Sequence, residues 1–174
     1  MRGDDAVGCL VCDELRKEGT PGFQYSRGPV QDTRAPGPAV HRSPSPGGSS
    51  LGDSVLVLDC GNTPENYIQP VTDKDPARIL VVDCCEYRAK PGEFRVFSRP
   101  EIEELSYGLL STHTLPLTLF VEMLSLSTKA TIELLGVQPQ GIEFGTDLSE
   151  PVRGALPALL QFIRNWARAE AVAR

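Results

Sequence analysis

Two short runs, Val55-Leu56-Val57-Leu58-Asp59 and Ile79-Leu80-Val81-Val82-Asp83, are almost wholly apolar, and each closes on an aspartate. Runs of this length are too short for a helix of ordinary size. They lack the apolar-polar alternation of a strand with one wet face, so they read as strands covered on both faces, as in a parallel sheet. A parallel pair needs a crossover between its strands. Thr63-Pro64-Glu65-Asn66 supplies a helix start there, with a cap residue followed by proline.

The rest of the chain continues the alternation. Val7, Leu10, Val11 and Leu15 fall at helical spacing within residues 5–18, with charged residues in the last turns. Phe94-Arg95-Val96-Phe97 alternates as a half-exposed strand, and Ser98-Arg99-Pro100-Glu101 opens a further helix. A helix is expected to open near Pro116, a strand over 131–137, and a last helix presenting Val152, Leu156, Leu159, Leu160, Ile163 and Trp166 on one face, bent near its start by Pro157. Strands alternating with helices predict a three-layer α/β domain with a mainly parallel sheet flanked by helices. At 174 residues one domain over 1–174 is expected. Residues 21–50 hold 6 Pro, 5 Gly and 5 Ser with almost no aliphatics, so a disordered insertion is expected at about 20–52.

Charge and cysteine usage exclude several classes. The net charge of −6 gives no source for attraction to a phosphate backbone, so nucleic acid is not an expected partner. No apolar run approaches the roughly 20 residues that span a bilayer, and the N-terminal residues lack the apolar core of a signal peptide, so a cytoplasmic protein without membrane insertion is expected. Five irregularly spaced cysteines, Cys9, Cys12, Cys60, Cys84 and Cys85, read as reduced thiols rather than as a disulfide framework. Cys9 and Cys12 form a C-x-x-C pair, the pattern of a redox site or half a zinc site. Without a second ligand pair they read as buried helix cysteines.

Candidate chemistry gathers at the strand ends. In open α/β sheets ligands bind beyond the carboxyl ends of the strands, where Asp59 and Asp83 would project. Each could instead cap or solvate its strand end. His41 lies in the Pro/Gly/Ser-rich stretch, whereas His113 stands just before a predicted helix, a loop position from which side chains reach a site. A lone histidine is also an ordinary structural hydrogen-bonding group. Asp4 and Asp5 open the first helix, where the helix dipole alone would favour them. The phosphate-loop, dinucleotide, serine-elbow and zincin motifs are absent from the sequence.

In their order along the chain these elements resemble the hydrogenase maturation proteases, endopeptidases that remove the C-terminal extension of the large subunit of [NiFe] hydrogenases. Arg2-Gly3-Asp4-Asp5-Ala6-Val7-Gly8 is similar to the family's opening motif and Asp59-Cys60-Gly61-Asn62-Thr63-Pro64-Glu65-Asn66 to its second. Residues 79–83 resemble the third, Thr112-His113-Thr114-Leu115-Pro116-Leu117 the fourth, and Gly136-Val137-Gln138-Pro139 a fifth. The Pro-Glu-Asn element and the Gln-Pro pair resemble the hydrogenase 3 branch. The resemblance implies a phosphorylase/hydrolase-like fold, a [NiFe] hydrogenase large-subunit precursor as partner, and nickel ligation by Asp5, Asp83 and His113. Two carboxylates and an imidazole suit a divalent first-row ion but leave an octahedral sphere half open. Nickel is therefore expected to arrive with the precursor rather than as a resident cofactor, with Asp59 as the base that activates water.

Family members open with a buried strand and a Gly-Asn turn before the acidic motif, and this chain begins inside that motif. The expectation is that a central strand of the sheet is absent. The main reading is a nickel-dependent processing endopeptidase. The alternative is a catalytically silent or truncated binding protein of the same fold.

Overall fold

The computed structural model describes residues 3–19, 22–27, 55–61, 63–105, 117–141 and 147–169. His113 lies outside them. A 3₁₀ turn, Gly3–Ala6, leads into α1 (Val7–Glu18). Val7, Val11 and Leu15, one turn apart, bury the inner stripe of α1. The helix stops at Gly19, whose left-handed φ of 59° closes the C-cap onto the Arg16 carbonyl. There follow β1 (Phe23–Arg27), β2 (Val55–Asp59), a 3₁₀ turn at Pro64–Tyr67, α2 (Ile68–Thr72), β3 (Arg78–Cys84) and β4 (Phe94–Ser98). The chain continues through α3 (Arg99–Leu105), α4 (Leu117–Ser127), β5 (Thr131–Val137) and α5 (Glu150–Arg168).

The strand order is β3-β5-β4, with β3 parallel and β4 antiparallel to β5, and β1 runs parallel to β2 as a separate pair. Alternation along β5 sends its side chains to two cores. Leu135 and Val137 join Val7, Val11 and Leu15 of α1 and Val152, Leu159, Leu160 and Ile163 of α5. Ile132 and Leu134 join Phe97, Ile102 of α3 and Phe120, Val121 and Leu124 of α4. This is the three-layer, mainly parallel α/β arrangement expected from the sequence. α5 runs through Pro157 as one helix, from Ser149 in extended conformation at its N-cap to Arg168.

Two expectations are corrected. Phe23–Arg27 is a strand, although it falls in the stretch expected to be disordered; residues 28–54 lie outside the described ones. Its few apolar side chains are aromatic and alternate. Phe23 and Tyr25 both pack on the α1 core, and the Tyr25 hydroxyl donates to the Leu15 carbonyl at 2.5 Å. Counting aliphatics alone missed this period of two. Second, β2 and β3 are not buried on both faces. Every residue of β3 is half-buried, and Leu56 in β2 is exposed. Each strand has one paired edge, and no described strand pairs with its other edge. α1 lies against both strands: the Cys12 thiol donates to the Leu58 carbonyl at 3.6 Å, and a Cβ on Gly8 would sit 2.7 Å from the Val82 carbonyl.

Candidate active site

The site is assembled from the 3₁₀ turn before α1 and from the carboxyl ends of β2 and β3. Asp4 was expected merely to favour a helix dipole. It is instead fully buried, with 0% of its surface exposed. Its Oδ1 accepts the Ser149 amide at 2.7 Å, and its Oδ2 accepts the Gln140 amide (2.7 Å), the Gly141 amide (3.2 Å) and the Ser149 hydroxyl (2.9 Å). Burial by itself would raise the Asp4 pKa. The donors from Ser149, Gln140 and Gly141 outweigh it and hold the carboxyl below its ordinary value.

The same turn is tied to β3, because the Cys84 thiol donates to the Asp4 carbonyl oxygen at 2.9 Å. Asp83, beside it, accepts the Cys84 amide at 2.8 Å through Oδ1. Burial, then the charges of Asp83, Asp4 and Asp5, push the Cys84 thiol far up. The Cys84–Asp4 bond places the segments carrying Asp5 and Asp83, two of the three expected nickel ligands, next to each other. With His113 outside the described residues, those residues contain no group of three or more carboxylate, thiol or imidazole side chains arranged to hold an ion. Two carboxylates and an imidazole are a donor set whose chemistry suits a first-row divalent ion.

Asp59 belongs to a second cluster. Its Oδ1 accepts the Gly61 amide at 3.2 Å, and the Cys9 side chain hydrogen-bonds to it. Cys12 and Cys60 both donate to the carbonyl of Leu58, at 3.6 and 3.9 Å. Burial, followed by the negative charge of Asp59, pushes the thiols of Cys9, Cys12 and Cys60 up to about 12. The C-x-x-C pair is thus half-buried against Asp59, and all five cysteines are free. Thiols so far from ionisation are poor nucleophiles, which argues against a redox or covalent role. Nearby, the Glu65 Oε2 is buried with no hydrogen-bond partner.

Gln138, only 3% exposed, shapes the segment leaving β3. Its Oε1 accepts the amides of Tyr87 (3.0 Å) and Ala89 (3.1 Å), and its Nε2 donates to Glu86 at 2.7 Å. That segment borders a cleft of about 540 Å³ lined in part by Glu86, Tyr87, Arg88 and Arg95. Sequence reasoning assigned no task to Asp4 or Gln138. A polar residue flanked by turn-forming ones, as in Gly3-Asp4 and Gln138-Pro139, was the available signal.

An α/β protein with carboxylates at the carboxyl ends of β2 and β3 has them where open α/β sheets bind their ligands. Comparison with known proteins narrows the class. The family described as HycI, hydrogenase maturation protease, matches residues 47–166. The hydrogenase 3 maturation protease of Escherichia coli K12 is 30% identical over 111 residues, covering 64% of this chain and 69% of the relative. A crystal structure of the [NiFe] hydrogenase maturation protease HycI from Thermococcus kodakarensis superposes with a TM-score of 0.64 at 25% identity, covering 99% of this chain and 86% of that one. The solution structure of the endopeptidase HycI from Escherichia coli, at 23% identity and TM-score 0.65, covers 95% of this chain and 84% of that one and shows the shared fold. The chain belongs to the hydrogenase maturation protease family.

Proposed function

We propose that this protease removes the C-terminal extension of a [NiFe] hydrogenase large-subunit precursor that already carries nickel, and that it does so in the cytoplasm. The observation that carries the reading is the bond from the Cys84 thiol to the Asp4 carbonyl, which sets the segments bearing Asp83 and Asp5 side by side at the carboxyl end of β3. Asp5, Asp83 and His113 would contact nickel held by the precursor's own ligands, so an unloaded precursor lacks that anchor and binds more weakly. Asp59, at the end of β2, would take a proton from water as it adds to the scissile carbonyl. The proton then passes to the departing amine, leaving a new carboxylate and a free amine. Because Asp59 and the Asp5/Asp83 pair stand at different strand ends, the tail must lie across both. Among the described residues, no helix is long and apolar enough to cross a membrane.

The test is conversion of purified nickel-loaded precursor, followed by mass. Asp5→Ala, Asp83→Ala, His113→Ala and Asp59→Asn should each abolish or strongly reduce cleavage, and nickel-free precursor should resist the wild-type chain. Full processing by His113→Ala, or efficient cleavage of nickel-free precursor, would overturn the nickel-recognition reading. Among the described residues β2 and β3 each have an edge that pairs with no strand, which favours a second reading, a catalytically silent or truncated binding protein of the same fold. Binding of loaded precursor by a folded chain without any cleavage would establish it.

A further inference from the structure

We propose that Asp4 is the positioning residue for Asp5, holding the turn that presents Asp5 to the substrate's nickel. The inference rests on the assignment of Asp5 above. The Asp4 carboxylate gathers donors from two places far from it in sequence, Gln140 and Gly141 just beyond β5 and Ser149 at the N-cap of α5. Its backbone adds two further ties: the Asp4 amide donates to the Gly141 carbonyl at 3.2 Å, and the Asp4 carbonyl accepts the Cys84 thiol. The turn is thereby clamped to β3, to the segment after β5 and to the start of α5.

Helix capping alone does not account for this arrangement. Ser149, the N-cap of α5, makes no side-chain cap bond to its own helix and gives its hydroxyl to Asp4 instead. The next peptide unit after this clamp is Asp5, which has few free torsions left with which to move. Precision of this kind matters at a metal contact, because a displacement of about 1 Å at a reacting centre can cost about 100-fold in rate. Asparagine at position 4 keeps one oxygen for the donors met by Oδ2 but turns an N–H toward the Ser149 amide. The clamp then loosens without leaving a bare cavity.

The experiment compares the wild-type chain, Asp4→Asn and Ser149→Ala in three measurements. Binding of nickel-loaded and nickel-free precursor gives an affinity ratio, processing gives a rate per folded molecule, and amide hydrogen exchange reports residues 3–8 against β5. For Asp4→Asn we expect the affinity ratio to fall toward one with nickel-free binding unchanged. Processing should drop about 10- to 100-fold, and exchange should quicken in residues 3–8 while β5 stays protected. Ser149→Ala, which removes one of the bonds, should move each readout the same way by less, and it carries the test if Asp4→Asn does not fold. A folded Asp4→Asn with the wild-type ratio, rate and exchange overturns the proposal. If the wild-type chain itself fails to discriminate loaded from unloaded precursor, the nickel reading falls. Exchange in residues 3–8 then still decides whether Asp4 anchors the turn, unaltered exchange overturning it.

Discussion

At the scale of single residues, the thiols carry a consequence for pH. Cys9, Cys12, Cys60 and Cys85 are pushed up to about 12, mainly by burial and then by neighbouring aspartates. An unfolded cysteine ionises near 8.5. A group whose folded pKa is raised contributes stability that is complete below the unfolded pKa and is lost as pH rises toward the folded one. The free energy of unfolding should therefore decline from about pH 8.5 upward, measured by denaturant titration at a series of pH values. A flat profile to pH 10 would show that these thiols are not protected from ionisation. Gly136 is equally constrained, since a Cβ there would overlap the Cys85 sulfur and lie 2.7 Å from the Phe97 ring. Gly136→Ala should cost about 1–3 kcal/mol by overpacking, read from the same titrations, and a neutral result would mean that this core yields freely.

At the scale of elements, α3 shows how local chemistry opens a helix. Glu101, three residues after Ser98, accepts both the Ser98 amide (2.8 Å) and its hydroxyl (2.7 Å), and these bonds from Ser98 lower the Glu101 pKa. Its support for α3 is present above the unfolded glutamate pKa and is lost as pH falls through the folded one. Exchange of the α3 amides should quicken in acid before that of β5, and Glu101→Gln should remove the difference. The strands are less complete. Among the described residues β2 and β3 each have one edge that pairs with no strand, with α1 laid against both, a geometry that would admit a parallel strand. Five apolar side chains at roughly 1.5–3 kcal/mol each rival the 5–15 kcal/mol stability of a typical domain. A chain extended upstream by an apolar five-residue strand should melt cooperatively and at a higher temperature than residues 1–174. Equal transitions in both would show that the two edges do not form a strand slot.

At the scale of the whole molecule, α5 is fastened at both ends. Near its C-terminus Trp166 donates to Glu133 at 2.9 Å, Glu133 pairs with Arg78 at 2.7 Å, and the Arg78 guanidinium lies 4.0 Å over the indole. At its N-terminus Ser149 is held by Asp4. The single tryptophan therefore reports the docking of α5 on β3 and β5. Its fluorescence should change in step with far-ultraviolet circular dichroism during unfolding, and an earlier fluorescence transition would mean that α5 leaves first. Deleting residues 21–50, which would have been harmless had the stretch been structureless throughout, should destabilise the protein because it removes β1 and the Tyr25 bond to α1. A deletion sparing 22–27 should cost less, since it keeps β1 and the Tyr25 bond to α1.

Sequence by itself determined the elements whose signal is local. The apolar runs of β2 and β3, the 3.6-residue stripes of α1 and α5, and the Ser98/Glu101 helix start were legible because period and capping depend on residues within a turn or two. The ordered motifs also identified the family and pointed to Asp5, Asp59, Asp83 and His113. Tertiary structure decided what depends on residues distant in the chain. It decided that Phe23–Arg27 joins β2 as a strand, because the partners of Phe23 and Tyr25 lie in α1 and β2. It also turned Asp4 inward to donors 136 to 145 residues away. The local pattern marks a polar residue at a turn but not its burial: a buried carboxylate depends on the donors that surround it, and those donors meet only when β5 and α5 pack together.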